Sequence, residues 1–193
     1  ASTGRLGTLG DPAGRPLPEP TAHQVWTRSY RADPAAVVIA DRHYNRQKVG
    51  SPQFVPPGRC VVLLSECRRA LWVTSWPFAQ YVRHAWPGAW VNILFRNEGA
   101  GLSSDLIRAA VAATLAEWPE PPALGLVTFV DAGKTRPKRD PGRCYRRAGF
   151  RHVGFTKGGL WAFQLLPNDF PRPVPAGIAP GPLFQLDAAE PPE

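Results

Sequence analysis

A glycine-rich turn between a predicted strand and a predicted helix is the stretch best suited to bind a phosphate. The apolar run 91–95 predicts a buried strand, and a helical pattern begins near residue 102. Gly99 and Gly101 allow positive φ and carry no side chain that would block an anion. Free N–H groups at a helix start and the helix dipole favour a phosphate or pyrophosphate there. The predicted cradle consists of Arg96, Asn97, Gly99, Gly101, Ser103 and Ser104.

The same spacing also fits an ordinary tight connection between a strand and a helix, in which Ser103 or Ser104 caps the helix. Two other phosphate-binding patterns are excluded. No Gly-Lys followed by Ser or Thr is present after the turn, so it is not a nucleotide P-loop. A dinucleotide-binding fingerprint would need its third glycine near Ser104.

Proton transfer is the second chemistry that the residue types allow. His43 follows a predicted helix and has an ordinary pKa suited to proton transfer, although a histidine at a helix end often serves as a cap. Asp131 ends a predicted strand, where it would orient or deprotonate an amine, or else anchor a loop. Tyr145 would be a general acid or a packing residue. The catalytic candidates are His43, Tyr44, Asp131 and Tyr145, and His43 is also a weak candidate for a metal ligand.

Positive charge is concentrated in one segment of a chain whose formal net charge is +8. The segment begins at Lys134 and continues to Lys157, and Asp140 is the one negatively charged residue within it. Such a cluster favours a polyanion such as nucleic acid over CoA phosphates or a role in solubility. The predicted DNA contacts are Lys134, Arg136, Lys138, Arg139 and Arg143.

The elements that must position these residues follow from the hydrophobic pattern. It predicts a strand within 23–31, a helix over 34–43, a loop over 46–58 and a hairpin of strands 60–65 and 70–76. The central strand and helix come next, then a strand over 124–130, a short helix over 144–148, and strands over 150–156 and 160–166. The first helix is expected to bury Val37, Val38 and Ala40, and the central helix Leu102, Leu106, Ala110, Val111, Thr114 and Trp118.

Composition predicts one domain. Residues 1–21 are rich in Gly and Pro and predict a disordered lead, and the prolines of 171–193 predict a tail without regular structure. A single domain over 22–170 is long enough to bury a core. No apolar run is long enough to cross a bilayer, and no signal peptide opens the sequence. The three cysteines lack metal-site spacing, so a reduced cytoplasmic compartment is expected.

Two signatures resemble the GNAT superfamily of acyl-CoA-dependent N-acetyltransferases. The first is Arg96-x-x-Gly99-x-Gly101 after a strand, and the second is Tyr145-x-x-x-Gly149-Phe150 at the end of a short helix. The resemblance implies an α/β (α+β) fold with a central twisted mixed sheet flanked by helices. It also implies that acetyl-CoA or a related acyl-CoA binds the glycine turn, and that Tyr145 protonates the departing thiolate.

A narrower set of residues resembles the bacteriophage Mom proteins, a divergent GNAT-like family. It comprises His43, Tyr44, Arg96, Asp131 and Tyr145, within a similarity that covers about residues 41–163. The resemblance implies transfer of a carbamoylmethyl group to the exocyclic amine of adenine in DNA, which protects phage DNA from restriction. Because that amine is hydrogen-bonded inside the duplex, the base must be extruded or single-stranded. Tyr44, Phe54, Trp86 and Trp90 are candidates to stack on it, although most tryptophans belong to a core.

Two other functions remain open at this point. One is a conventional N-acetyltransferase for a small amine or a protein, which would not need the basic segment. The other is a GNAT-like module that binds DNA without catalysis, for which Arg96→Ala would have no effect. Acyl-CoA binding and nucleoside analysis separate the three.

Overall fold

Eight strands of the described chain form one mixed sheet, with helices on both faces. A computed structural model describes residues 25–78, 82, 84–135 and 140–178. The predicted lead of residues 1–21 lies outside them. The helices are α1 (Pro34–Ala40), α2 (Ser103–Glu117), α3 (Arg143–Arg147) and a 3-10 turn (Pro167–Asp169). The strands are β1 (Trp26–Ser29), β2 (Arg59–Ser65), β3 (Ala70–Trp76), β4 (Trp90–Asn97), β5 (Leu126–Val130), β6 (Arg151–Phe155), β7 (Trp161–Leu165) and β8 (Gly177–Ile178).

The strand order across the sheet is β6-β7-β5-β4-β3-β2-β1-β8. Neighbours pair antiparallel, except that β4 pairs parallel with β5 and β1 pairs parallel with β8. The predicted α+β class with a mixed central sheet is therefore confirmed. In the described part of the chain, no helix is long and apolar enough to cross a membrane.

The parallel pair of β4 and β5 separates after a short ladder. Trp90, Val91 and Asn92 of β4 pair with β5, and no pairing follows although β4 continues to Asn97. On its other edge, β4 contains a bulge, because Leu94 pairs with Val73 while Asn92 pairs with Thr74. Ile93 is the extra residue of this bulge. The sheet therefore has an opening between β4 and β5 from residue 93 onward.

Each face of the sheet has its own core. On one face, α1 packs Ala36, Ile39 and Ala40 against β2, β3 and β4, together with Phe54 and Val55 of the 46–58 loop. On the other face, α2 and α3 cover a larger core that includes the buried rings Trp26, Trp72, Trp90, Tyr145 and Phe163. β4 is therefore packed on both faces, with Trp90 in one core and Leu94 in the other.

The helix starts and the hairpin agree with the sequence pattern. The Asp33 side chain accepts a hydrogen bond from the Ala35 N–H (2.8 Å), which caps α1 as predicted. Two of the buried positions were predicted wrongly. Val38 is 51% exposed and Leu102 is 60% exposed, while the other predicted residues of α2 and Trp118 are buried. Leu102 lies at the N-cap position, before the helical phase of α2 begins.

The segment after β7 contains more structure than its prolines predicted. Gly177–Ile178 pairs with β1 at the far edge of the sheet, so the prediction of no regular structure is wrong at these two residues. Phe170 packs against Trp90 with ring centroids 5.8 Å apart. Residues 179–193 lie outside the described chain.

Candidate active site at the opening between β4 and β5

The opening between β4 and β5 leads into a cavity of about 150 Å³. Its lining comes from four separate parts of the chain: Tyr44 and Asn45 after α1, residues 91–93 of β4, Phe129 and Asp131 at the end of β5, and Leu160 before β7. Residues far apart in sequence therefore meet where the sheet opens. Such a position, with few polar groups in a partly apolar cavity, is typical of small-molecule sites.

Asn92 organises the floor of this opening. Its Nδ2 donates to the carbonyls of Val73 (3.0 Å) and Leu94 (2.9 Å), which flank the bulge. Its Oδ1 accepts from the Tyr145 hydroxyl (2.8 Å) and the Thr128 hydroxyl (3.2 Å). All four bonds of the amide are made, and Asn92 is 3% exposed. The network therefore fixes the Tyr145 hydroxyl beside both strands of the separated pair.

Tyr145 reaches this position because α3 packs tightly on β7. Gly142, just before α3, has φ of 74°, and a Cβ there would lie 2.2 Å from the ring of Phe163. Only glycine allows that approach. Burial raises the pKa of Tyr145 well above its usual value, and the neighbouring Cys144 thiol acts in the same direction. The phenol therefore keeps its proton, which suits a donor and excludes a base.

Tyr44 and Asp131 meet above the Asn92 network. Burial raises the pKa of Tyr44, its interaction with the Asp131 backbone opposes this, and the Asp131 and Cys144 side chains add to the rise. Tyr44 also influences the pKa of Tyr145, so the two phenols lie on the same opening. These contacts join the end of α1, the end of β5 and α3 in one cluster.

His43 connects the cluster to Arg96. Its ring stacks on Tyr44 with centroids 4.4 Å apart, and its Nδ1 accepts from the Asn45 N–H (3.2 Å). Burial, together with the charge of Arg96, lowers the pKa of His43 to about 4. The imidazole is therefore neutral near pH 7, and because its Nδ1 accepts from Asn45, its Nε2 carries the hydrogen and can donate a hydrogen bond.

Asp131 stabilises the turn after β5 and also lines the cavity. Its Oδ1 accepts from the N–H groups of Gly133 (3.0 Å) and Lys134 (3.2 Å) and so holds the turn after β5. Its Oδ2 lies 4.0 Å from Lys134 Nζ. The loop-anchoring alternative is thus observed, and Oδ2 is the oxygen that remains for an incoming group.

The glycine turn does not offer all of the free N–H groups that were predicted to bind a phosphate. Asn97 Oδ1 accepts from the N–H groups of Gly99 (3.0 Å) and Ala100 (2.9 Å). Its Nδ2 donates to the Gly101 carbonyl (2.8 Å) and to Ser103 Oγ (2.9 Å). Two of the amides expected to face a phosphate therefore bind the side chain of Asn97 instead. The positive φ of Gly99 (92°) and Gly101 (153°) agrees with the sequence pattern.

Arg96 is engaged rather than free. Its Nε lies 2.6 Å from Glu98 Oε1, and its Nη1 donates to the Arg42 carbonyl (2.5 Å). Glu98 also pairs with Arg42 (2.7 Å), and these two arginines hold the pKa of its carboxyl below its usual value. Arg96 therefore ties β4 to the end of α1 and places its charge beside His43.

The start of α2 is the part of the predicted cradle that remains available. No side chain caps this helix, and within the described chain the N–H groups of residues 101–104 have no hydrogen-bond partner. Ser104 is buried, and Asp105 in the first turn brings a negative charge. The residues present therefore fit a diphosphate in part, through the helix start and not through the whole turn.

The metal-ligand hypothesis for His43 gains no support. Asp41, two residues earlier, pairs with Arg46 (2.6 Å) and accepts from the Gly50 N–H (2.9 Å). Among the residues that the structure describes, no group of three or more His, Cys, Asp and Glu side chains is placed to hold a metal ion.

The predicted DNA-contact residues can be placed only in part. Lys134 is exposed at the turn that Asp131 anchors, and Arg143 is exposed at the start of α3. Lys134 is close in sequence to Asp131, and Arg143 is close in sequence to Tyr145. Arg136, Lys138 and Arg139 lie outside the described residues.

The aromatic candidates divide into core and site residues. Trp90 is fully buried and Phe54 is 9% exposed, so neither is available to stack on a base. Trp86 packs on Phe129 with ring centroids 5.8 Å apart, beside the opening. Tyr44 remains 36% exposed at the cavity.

Sequence reasoning missed Asn92, Thr128 and Arg46, which position the site. Asn92 is a buried amide within an apolar strand, and that polar interruption is the one signal that pointed to it. Nothing in the local sequence indicates the partners of Thr128 or Arg46, because they depend on strand order and loop path.

No protein-family model or curated protein matches the sequence, and no solved structure matches the fold.

Proposed function

We propose that this protein is a GNAT-like transferase that modifies the exocyclic amine of adenine in DNA, in the manner of the Mom family that its residues resemble. One observation carries the proposal. Five residues spread over positions 43 to 145 form one connected cluster at the opening between β4 and β5: His43, Tyr44, Arg96, Asp131 and Tyr145.

The order of the strands supports the GNAT-like part of the proposal. β4 carries a bulge, pairs parallel with β5 over three residues and then separates from it. A helix follows β4 directly, and the hairpin of β6 and β7 joins the far side of β5. In an acyltransferase, the unpaired edge of β4 after Asn92 offers backbone N–H groups for a developing oxyanion.

The carrier of the transferred group would be held by the N–H groups of residues 101–104 at the start of α2. When bound, an acyl-CoA would supply a thioester whose carbonyl carbon the amine attacks while the CoA thiolate departs, which gives an N-acyl product. A carbamoylmethyl group is joined to nitrogen through its methylene carbon, so that product requires a donor activated at that carbon. Full use of the turn requires the Asn97 side chain to leave the amides of Gly99 and Ala100. The positive charge that faces the opening comes from Arg96, partly balanced by Glu98.

The cluster divides the proton transfers between two sides of the opening. The Oδ2 of Asp131 accepts a hydrogen bond or a proton from an amine that enters beside Tyr44, and the neutral His43 ring stacks on Tyr44. Tyr145 keeps its proton and donates it to Asn92 Oδ1, and when its hydroxyl turns from Asn92 the same proton is available to a departing group. Lys134 and Arg143, both exposed residues of the basic segment, would contact DNA phosphates.

Mass spectrometry of nucleosides tests the proposal without knowledge of the donor. DNA from cells that express the full chain is digested and compared with DNA from cells that express Asp131→Asn, which keeps an acceptor for the Gly133 and Lys134 amides. We expect a modified deoxyadenosine with the wild-type protein and its loss with the variant. Its mass distinguishes a carbamoylmethyl from an acetyl group.

An unmodified nucleoside profile beside expressed and folded protein would contradict the proposal. Acetylation of a small amine or a protein by the same preparation would then establish the conventional acetyltransferase. Absence of both, with DNA binding retained, would leave a DNA-binding module.

A further inference from the structure

A second, larger cavity lies beside the opening, under the loop of residues 46–58. Its volume is about 430 Å³, within the range of about 300–1,000 Å³ usual for small-molecule sites. Asn45 and Ile93 line both this loop cavity and the smaller cavity that contains Asp131. A ligand in the loop cavity therefore reaches the catalytic cluster past these two residues.

The loop cavity is built by a tightly fixed loop. The Arg46 side chain is 7% exposed and pairs with Asp41 (2.6 Å) at the end of α1. The same guanidinium donates to the carbonyls of Gln53 (2.8 Å) and Ser51, and Asp41 also accepts from the Gly50 N–H. The path of the loop thus comes from the chain itself, so the cavity does not need a ligand to form.

The walls of the loop cavity are apolar, whereas its free polar groups are neutral. Phe54, Val55 and Leu94 belong to the core beneath it. Arg46 is neutralised by Asp41. Gln47 and Gln53, which are both exposed, are part of the cavity lining, and within the described chain neither side-chain amide has a hydrogen-bond partner. The cavity therefore suits a flat, uncharged ligand whose edge both donates and accepts hydrogen bonds.

Adenine has such an edge. Its N6 amine donates and its N7 accepts side by side, and one carboxamide matches the pair in a bidentate contact. Guanine presents two neighbouring acceptors there, which call for Arg or Lys. No free arginine or lysine lines the cavity, because its single arginine is fixed by Asp41.

A third cavity at the opening fits a base less well. It has a volume of about 600 Å³ and includes Trp86, Phe129 and Phe155. Its rings offer stacking surfaces, but it has no carboxamide, and Lys157 in its lining favours the two neighbouring acceptors of guanine over the edge of adenine.

We infer that the loop cavity is the base pocket, which receives an adenine drawn out of the DNA and recognises its edge through the amides of Gln47 and Gln53. This assignment rests on the proposed function, and it adds which cavity binds the base and which residues distinguish adenine from other bases. The base lies against Val55 and Leu94, with its N6 and N7 at the two amides, and the cavity that holds it adjoins the Asp131 cavity at Asn45 and Ile93.

Binding of single-stranded DNA tests the pocket separately from catalysis. The probes are two fluorescently labelled oligonucleotides, one of thymidines only and one with a single central deoxyadenosine. The full-length protein should bind the second about tenfold more tightly in fluorescence anisotropy. Gln47→Leu/Gln53→Leu, which keeps side-chain size but removes both amides, should bind the two probes equally.

Val49→Ala is the matched control, because Val49 is 72% exposed on the same loop and does not line the cavity. It should keep the wild-type preference for the deoxyadenosine probe. Equal binding of both probes by the wild-type protein, or a preference that survives loss of both amides, would overturn the inference.

Failure of the pocket and failure of the proposed function give different results. If the pocket is right and DNA modification is wrong, the amide-dependent preference appears while nucleosides from expressing cells stay unmodified. If modification is right and the pocket is wrong, modified deoxyadenosine appears with the wild-type protein and the double variant makes as much of it.

Discussion

The two ends of β4 each carry an asparagine that uses its whole amide, yet the two do different things. Asn97 binds only residues up to six positions away and closes the glycine turn on itself. Asn92 binds Val73, Thr128 and Tyr145, which lie 19, 36 and 53 positions away. The first organises a loop, whereas the second joins three elements around a cavity.

The difference shows which of the two asparagines positions the candidate active site. At the glycine turn, the polar groups satisfy one another within the turn, and the adjoining Arg96 is held by Glu98. At the opening, the amide of Asn92 is buried and satisfied while Tyr44 and Asp131 line the cavity above it and His43 stacks on Tyr44. The fixed network below therefore positions the groups above.

Loss of the Asn92 amide should have the largest effect on stability. Asn92→Ala removes the side-chain donor to two carbonyls and the acceptor of the buried Tyr145 hydroxyl, while the Thr128 hydroxyl keeps the backbone carbonyl of residue 92, so the free energy of unfolding should fall by about 3 kcal/mol or more. Urea unfolding followed by tryptophan fluorescence measures it. A loss no greater than that of Asn97→Ala would remove the distinction between the two ends of β4.

Tyr145→Phe separates positioning from packing at the same network. The ring stays in the core, and loss of one buried hydrogen bond should cost about 1 kcal/mol of unfolding free energy. As a proton donor, Tyr145 should matter far more for activity, with modification slowed about a hundredfold. Tyr30→Phe, at a tyrosine that is 60% exposed, is the control in both assays. Equal modification by the two variants would assign Tyr145 to packing alone.

The pH dependence of stability tests the buried state of His43. Because its pKa in the folded protein is about 4, below the usual 6.5, the unfolded chain binds the proton more readily. This contribution is therefore complete above about pH 6.5 and is lost as the pH falls toward 4. Between pH 7 and pH 5, wild type should lose about 1 kcal/mol more than His43→Asn, allowing for partial exposure. Equal losses in urea unfolding would place His43 in solvent.

Asn97→Ala should have the smallest effect. The turn lies near the surface, so its loss should lower the free energy of unfolding by about 1 kcal/mol or less. Hydrogen exchange should accelerate at the amides of Gly99 and Ala100, which lose their acceptor. Unchanged exchange at both would show that Asn97 does not hold these amides in solution.

Local patterns predicted most of the elements. The Asp33 cap, the hairpin turn at residues 66–69, the buried face of α2 and the end of α3 at Gly149 all depend on residues close in sequence. Errors arose where tertiary packing decides the outcome. Phe54 is buried because the Arg46 contacts fold its loop back onto the sheet, which loop composition does not show.

The candidate site was predictable as a set of residue types but not as an arrangement. The sequence identifies His43, Asp131 and Tyr145 as groups that carry chemistry, yet their meeting depends on the separation of β4 from β5. The ion pair between Arg96 and Glu98 was also not predictable from the sequence, because the alternation of residues along a strand does not show which side chains form pairs.

The central claim is that the groups above Asn92 at the opening modify adenine. Its most direct test is the amount of modified deoxyadenosine in DNA from cells expressing Tyr44→Phe/Asp131→Asn, beside Tyr30→Phe/Asp169→Asn as a control at exposed positions. We predict that the first variant leaves DNA unmodified and that the control matches the wild-type protein. Wild-type levels of modification from the first variant would contradict the claim.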